Sequence, residues 1–321
     1  MKKIRVCLFF IYLLIISDSA SAQCCSAGNP YFYGEQSSVN RKELQIIGGY
    51  KYSMSDQYYH EDSKVDIGFI DKAWFNYLNL QMIYGITSNL TIQTDLGYFL
   101  NKTEQYKAED WSTIEGYGIG DAQLTVRYLA YKNFEKHFSV IPSAGVKFPI
   151  GVFDQEVEHV KLPITVQPSS GSFKYLLNLY LNKGTKNLKW NFGFFASAEF
   201  AQLIDSKNFY YKYGNCYLFS FISSYTLSRK ITMGFEVRNE NRGKSSRENN
   251  QIVESSGYNI VYMIPHLNYN FSKKWYISLN ADIPVYRFYN GIQLANKLAV
   301  SVRMSYSLSF IKNIYKEIEI N

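Results

Sequence analysis

The segment Lys297-Leu298-Ala299-Val300-Ser301-Val302-Arg303-Met304-Ser305-Tyr306-Ser307-Leu308-Ser309-Phe310 alternates without a break. In an extended chain successive side chains point to opposite faces, so Lys297, Ala299, Ser301, Arg303, Ser305, Ser307 and Ser309 share one face. Leu298, Val300, Val302, Met304, Tyr306, Leu308 and Phe310 share the other. One face is small, polar and cationic; the other is wholly apolar and ends in aromatics. Strands in soluble sheets are mostly about 5–6 residues long, whereas a tilted strand needs about 9–11 to cross a bilayer. The run predicts a strand of a membrane β-barrel, with lipid on its apolar face and Lys297 and Arg303 turned inward.

Eleven further segments repeat the pattern, at 43–55, 73–86, 90–101, 117–130, 137–150, 172–183, 188–202, 215–227, 231–242, 258–271 and 275–287. The predicted fold is all-β: a transmembrane, antiparallel, up-and-down barrel of about 12 strands spanning residues 43–310. The connectors alternate as well. Thr87-Ser88-Asn89, Tyr131 to Lys136, Gly184 to Asn187, Ser228 to Lys230 and Ser272 to Lys274 are short. Links near 56–72, 102–116, 151–171, 203–214, 243–257 and 288–296 are longer. Short periplasmic turns and long external loops are the rhythm of an outer-membrane barrel, and an even strand number puts both ends on the periplasmic side. A soluble sandwich or propeller would need neither the long strands nor this alternation, and no fixed-period repeat is present.

Composition agrees. The chain carries 29 Tyr and 22 Phe in 321 residues, as aromatic girdles at both membrane interfaces require. Residues 1–22 read as a cleavable export signal: Lys2, Lys3 and Arg5, an apolar run from Val6 to Ile16, then Ala20-Ser21-Ala22. That run is too short for a spanning helix, which needs about 20 apolar residues. Cleavage before Gln23 leaves a periplasmic segment, 23–42, as a candidate plug, and a periplasmic tail at 311–321 after Phe310, the internal end signal. A lipoprotein reading would use Cys24, but Gln23 stands where such sites normally have a small residue. Of the net charge of +7 the leader holds +2, leaving +5 on the mature chain, scattered rather than striped. Nucleic acid is therefore not an expected partner; outer-membrane lipid and a small-molecule solute are, and nothing indicates an oligomeric state. Four cysteines, one of them in the leader, give no disulfide framework.

Three stretches carry a family resemblance. Tyr117-Gly118-Ile119-Gly120-Asp121-Ala122-Gln123-Leu124-Thr125-Val126-Arg127-Tyr128 has the form G-x-G-D-x-x-L-x-x-R/K-Y. Gly145-Val146-Lys147-Phe148-Pro149-Ile150-Gly151 and Gln167-Pro168-Ser169-Ser170-Gly171-Ser172 follow in order. Together they resemble the outer-membrane transporter family named for the meta-pathway of phenol degradation, over about 117–183; the opening Cys24-Cys25-Ser26-Ala27-Gly28-Asn29-Pro30 resembles that of related barrel proteins. The resemblance implies a porin-like or fatty-acid-transporter-like barrel that passes small hydrophobic or aromatic molecules, with Gly118, Gly120, Asp121, Arg127 and Tyr128 as the motif residues. Fold likeness does not settle chemistry, and a structural role for the motif outweighs ligand contact, since it recurs where substrates differ.

Strand parity assigns a lumen. The inward candidates are Lys51, Asp95, Asp121, Arg127, Lys147, Lys174, Lys189, Glu199, Glu236, Arg238, Asp282 and Arg303, because an Arg or Lys facing lipid at the midplane costs about 2–4 kcal/mol. Two readings of them stay open: a polar conduit whose charges select the solute, or paired charges filling a narrow barrel. About eight strands give a filled interior and about sixteen an open channel, so twelve decides neither. No cofactor is expected, since nothing resembles a nucleotide site. Catalysis is not expected either: His159 beside Asp154, Glu156 and Glu158 reads as a solvated acidic loop without a G-x-S-x-G or H-E-x-x-H motif. Cys24 and Cys25 form a candidate soft-metal pair for copper(I), which no neighbouring His or third Cys completes. The main expectation is a porin or transporter for passive passage. Its rivals are a structural or adhesive surface barrel with a blocked lumen and a barrel hydrolase.

Overall fold

The computed structural model describes residues 29–30, 38–107, 113–206 and 209–310. The export signal, Cys24 and Cys25, most of the 23–42 segment and the 311–321 tail lie outside the described residues. The long strands are β1 (Glu43–Glu61), β2 (Ile70–Gly85), β3 (Leu90–Tyr106), β4 (Thr113–Ile119), β5 (Ala122–Tyr128), β6 (Phe138–Phe148), β7 (Lys174–Gly184), β8 (Trp190–Ala201), β9 (Cys216–Thr226), β10 (Ile231–Arg242), β11 (Tyr258–Asn270) and β12 (Trp275–Ser309).

All pairings in the ring are antiparallel between successive crossings, β12 returns to β1, and β6 pairs with β7, so the sheet closes into a barrel. Eleven strands form the ring, with β4 extending the crossing that β5 completes. The last strand is folded double: it pairs with β11 through Tyr289 and with β1 from Tyr289 onward, turning where Gly291 takes a φ of 63°. Its two arms lie side by side, with the Trp275 and Tyr306 rings 4.4 Å apart and Asn280 Nδ2 donating to Ser301 Oγ at 3.4 Å. Counting both arms, the chain crosses twelve times, as the periodicity predicts.

The decisive segment closes the barrel, in register from Glu43↔Ser309 to Met54↔Leu298. The next pair is Ser55↔Asn296, which leaves Lys297 as the extra residue of a β-bulge. A bulge re-aims one side chain. Lys297 is therefore exposed and bonds to Asp56 Oδ2 at 2.5 Å instead of entering the lumen, so the strict alternation begins at Leu298. Beyond this bulge β1 continues to Glu61, and the expected loop at 288–296 is a tight strand turn. The loops expected at 56–72 and 102–116 are likewise largely strand. Alternation is weak in these stretches because wall that rises above the lipid no longer needs one apolar face.

Lipid contact explains the exterior. Leu78, Leu80, Met82, Leu96, Leu100, Phe219 and Phe221 are all exposed, on the face opposite the buried polar residues. Near the short turns, aromatics cluster into a girdle: Trp190 with Tyr225 at 4.8 Å and Tyr269 with Phe271 at 5.0 Å. The turns themselves are tied by hydroxyls. Thr87 Oγ1 accepts from the Leu90 N–H at 2.9 Å, Ser228 Oγ from Ile231 N–H at 3.2 Å and Ser272 Oγ from Lys274 N–H at 3.2 Å.

Candidate functional site

Among the described residues, the polar face of the barrel lines an inner and an outer cavity. The inner one, of about 380 Å³, lies toward the short turns and is lined by Lys51, Arg127, Glu236, Arg238, Asp282 and Arg303 among others. The outer one, of about 140 Å³, lies beneath the long loops and is lined by Asp121, Lys147, Lys174, Glu199 and Arg242 with several aromatic rings. Among the described residues none lines both.

Each cavity has its own ion cluster. In the inner one Asp282 Oδ2 accepts from Lys51 Nζ at 3.0 Å and from Arg238 Nη2 at 2.9 Å. Arg238 also lies 3.6 Å from Glu236, which accepts from Ser220 Oγ at 2.7 Å. On the wall beside them Asp95 takes Gln81 Nε2 at 2.6 Å and Gln93 Nε2 at 2.5 Å. In the outer cluster Glu199 joins Lys147, at 2.6 Å, to Arg242, at 3.1 Å. These charges are nearly closed off from water, and removing one partner of such a pair typically costs about 3–5 kcal/mol because the other is left buried and uncompensated.

A loop shapes the outer cavity. Residues 149–173 fold inward, burying Leu162, Val166, Gln167, Ser169 and Ser172. Two glutamines organise this loop. Gln155 docks on the backbone of Tyr117, with Nε2 donating to the carbonyl at 2.5 Å and Oε1 accepting the N–H at 3.2 Å. Gln167 Nε2 donates to the carbonyls of Gln155, at 3.1 Å, and Leu162, at 3.0 Å. The loop's far end is clasped by Asp121: Oδ1 accepts from Ser169 Oγ at 2.7 Å and Ser170 N–H at 2.9 Å, and Oδ2 from Ser170 Oγ at 2.6 Å.

Two of the three stretches that carry the family resemblance therefore meet in space, Asp121 of the first holding Ser169 and Ser170 of the third. Gly118 takes a φ of 128°, which side-chain-bearing residues rarely adopt, and a Cβ on Gly151 would collide with the Ile119 carbonyl. The glycines thus let loop and wall touch. Gly120 donates its N–H to the Gly97 carbonyl at 2.9 Å, while Tyr128 is exposed on the outer face.

Strand parity and structure agree on position for ten of the inward candidates, Lys51, Asp95, Asp121, Arg127, Lys147, Lys174, Glu199, Glu236, Arg238 and Asp282, all of which are buried. Arg303 is partly buried and lines the inner cavity. Lys189 is a correction: it is exposed, in the turn before β8, because the strand starts only at Trp190 after Leu188 takes a φ of 56°. Parity has no meaning outside the strand. Asp121 and Arg127, expected together on one strand, go to different cavities.

Several lumen residues escaped sequence reasoning. Glu240 and Arg242 continue the parity of Glu236 and Arg238, so that signal was present. Lys102 was hidden by the irregularity between Phe99 and Lys102, which reverses the alternation. Its Nζ donates to the Gln167 carbonyl at 3.1 Å and lies 5.3 Å from the Phe99 ring centre. Asn29 and Pro30, from the N-terminal segment, also line the outer cavity, with Asn29 Nδ2 3.4 Å from Glu240 Oε1. His159 is exposed at the tip of the small hairpin Glu156–Val157 and Val160–Lys161, and no cluster of three metal-ligating side chains occurs among the described residues. His266 lies in the inner cavity, its Nε2 3.0 Å from Ser224 Oγ.

No family model matches the chain, and no curated protein matches it. Among solved structures, an outer membrane channel from Pseudomonas putida F1 superposes with a TM-score of 0.70 at 14% identity, covering 87% of this chain and 100% of that one. The transport unit of the autotransporter AIDA-I from Escherichia coli reaches 0.49 at 9% identity, over 91% and 98% of the two chains. The NanC porin reaches 0.47 at 14% identity, over 83% and 100%. The first likeness shows a shared barrel fold; the other two are too low to argue from.

Proposed function

We propose that this protein is an outer-membrane channel of a diderm bacterium, exported by a cleaved signal, through which a small hydrophobic or aromatic solute passes down its gradient. The observation that carries the reading is a lipid-facing barrel whose interior holds polar, charged cavities at both ends of the crossing. A barrel that only displayed loops would need no charged interior, and each buried ion costs free energy that packed apolar side chains would not. Lys51, Arg127, Glu236, Arg238 and Asp282 at the inner cavity, and Lys147, Lys174 and Glu199 at the outer, are its selectivity elements. The resemblance to the phenol meta-pathway transporters supports the aromatic solute class. Periplasmic termini follow from the short-turn rim, where Lys42 and Phe310 meet.

The rival, a surface barrel with a closed lumen, draws on one observation: the two cavities share no lining residue. Planar-bilayer recording of the refolded protein separates the two. Stepwise ion conductance is the expected result; a protein that inserts without conductance, and that gives vesicles no uptake of toluene or benzoate, overturns the channel reading.

A further inference from the structure

The outer cavity holds a cation whose one ion pair among the described residues is a long one. Lys147 and Arg242 both bind Glu199, and Lys102 donates to the Gln167 carbonyl. Lys174 is different. It is 8% exposed, lines the cavity, and its Nζ makes no hydrogen bond among the described residues. Its nearest carboxylate oxygen among the described residues, Asp121 Oδ2, is 3.9 Å away, and Asp121 already accepts three hydrogen bonds from Ser169 and Ser170. An ammonium has three donors, and burying it without acceptors is costly. Among the described residues the cavity is lined by four cations, Lys102, Lys147, Lys174 and Arg242, against two carboxylates, Asp121 and Glu199. Such a site favours an added negative charge.

Aromatic wall surrounds that charge. The Tyr213 ring centre lies 4.9 Å from Lys174 Nζ, Tyr211 packs on Tyr213 at 5.0 Å, and Phe75 packs edge-on against Phe99 at 5.7 Å; all four rings line the cavity. A volume of about 140 Å³ is close to the roughly 150 Å³ of an apolar cavity that holds benzene. We infer that the outer cavity binds a single-ring aromatic carboxylate, its carboxylate accepting from Lys174 and its ring lying against the tyrosines and phenylalanines. The inference rests on the channel reading and names the solute class for it.

The test uses the full mature protein, refolded in detergent and, in parallel, inserted in planar bilayers. Benzoate is titrated by calorimetry, with benzyl alcohol, acetate and inorganic phosphate as comparisons. Benzoate should bind at least tenfold more tightly than each of the three. Lys174→Met should weaken benzoate tenfold or more and leave benzyl alcohol unchanged, while Lys174→Arg, which keeps the charge, should retain most of the binding. Circular dichroism checks that each variant is folded; should Lys174→Met fail to fold, Tyr213→Leu must weaken benzoate and spare acetate. Equal binding of acetate or phosphate, or benzoate binding indifferent to Lys174→Met in a folded protein, overturns the inference. Conductance without benzoate binding sinks the site and leaves the channel; benzoate binding without conductance does the reverse.

Discussion

The two halves of the lumen are built from the same residue types and organised differently. In the inner cavity the charges sit on wall strands and answer one another, with Asp282 shared by Lys51 and Arg238 and Glu236 in reserve beside Arg238. In the outer cavity the wall also holds a loop, through Asp121, and keeps one lysine without a hydrogen bond among the described residues. Both linings carry four cations against two carboxylates among the described residues, Lys51, Arg127, Arg238 and Arg303 against Glu236 and Asp282 in the inner one; what sets the outer half apart is its loop and its aromatic rings. Charge alone does not make a recognition site; the outer half adds an aromatic boundary and a lysine whose ion pair, to Asp121, is long.

That contrast predicts the largest effect at Glu199. Glu199→Gln leaves Lys147 and Arg242 facing each other, and urea unfolding should report a loss of about 3–5 kcal/mol. Asp282→Asn should cost less, because Glu236 still faces Arg238; equal losses would erase the distinction between the clusters. Next comes Asp121→Ala, which removes an ionised acceptor from Ser169 and Ser170. Hydrogen bonds to charged groups are worth about 1.5–3 kcal/mol each. Limited proteolysis should then cut within 149–173 and single-channel conductance should rise, whereas Asp282→Asn should leave the cleavage pattern unchanged. A loop that stays resistant would mean that Gln155 and Gln167 hold it alone.

Smaller effects sharpen the comparison. Gly118→Ala places a Cβ at a φ of 128° and should cost roughly 1–3 kcal/mol, read in the same urea titration. His266→Ala removes the contact with Ser224 in the inner cavity and should cost about 0.5–1.5 kcal/mol without altering benzoate affinity. A change in affinity would show that the two cavities communicate.

Much of the architecture was legible because alternation is a local signal. A strand with lipid on one side must repeat its pattern every second residue, so the crossings and most inward charges could be read from parity alone. The failures have local causes too. Lys297 was misplaced by a bulge, Lys102 was hidden by another irregularity, and Lys189 lies in a turn where parity no longer applies. The motif around Asp121 was recognisable as a pattern, yet its purpose was not, because its partners Ser169 and Ser170 come from a loop 48 and 49 residues further along.

By itself the sequence determined that the chain is a barrel with lipid outside, about twelve crossings, and charge within. Those properties follow from a two-residue period and from the cost of placing an ion in hydrocarbon. Only the tertiary structure decided which charges pair with each other, that the described lumen residues line two separate cavities, and that Lys174 keeps only a long ion pair to Asp121. Pairing across a barrel depends on curvature, register and the fold of a long loop, and no residue carries that information in its immediate neighbours.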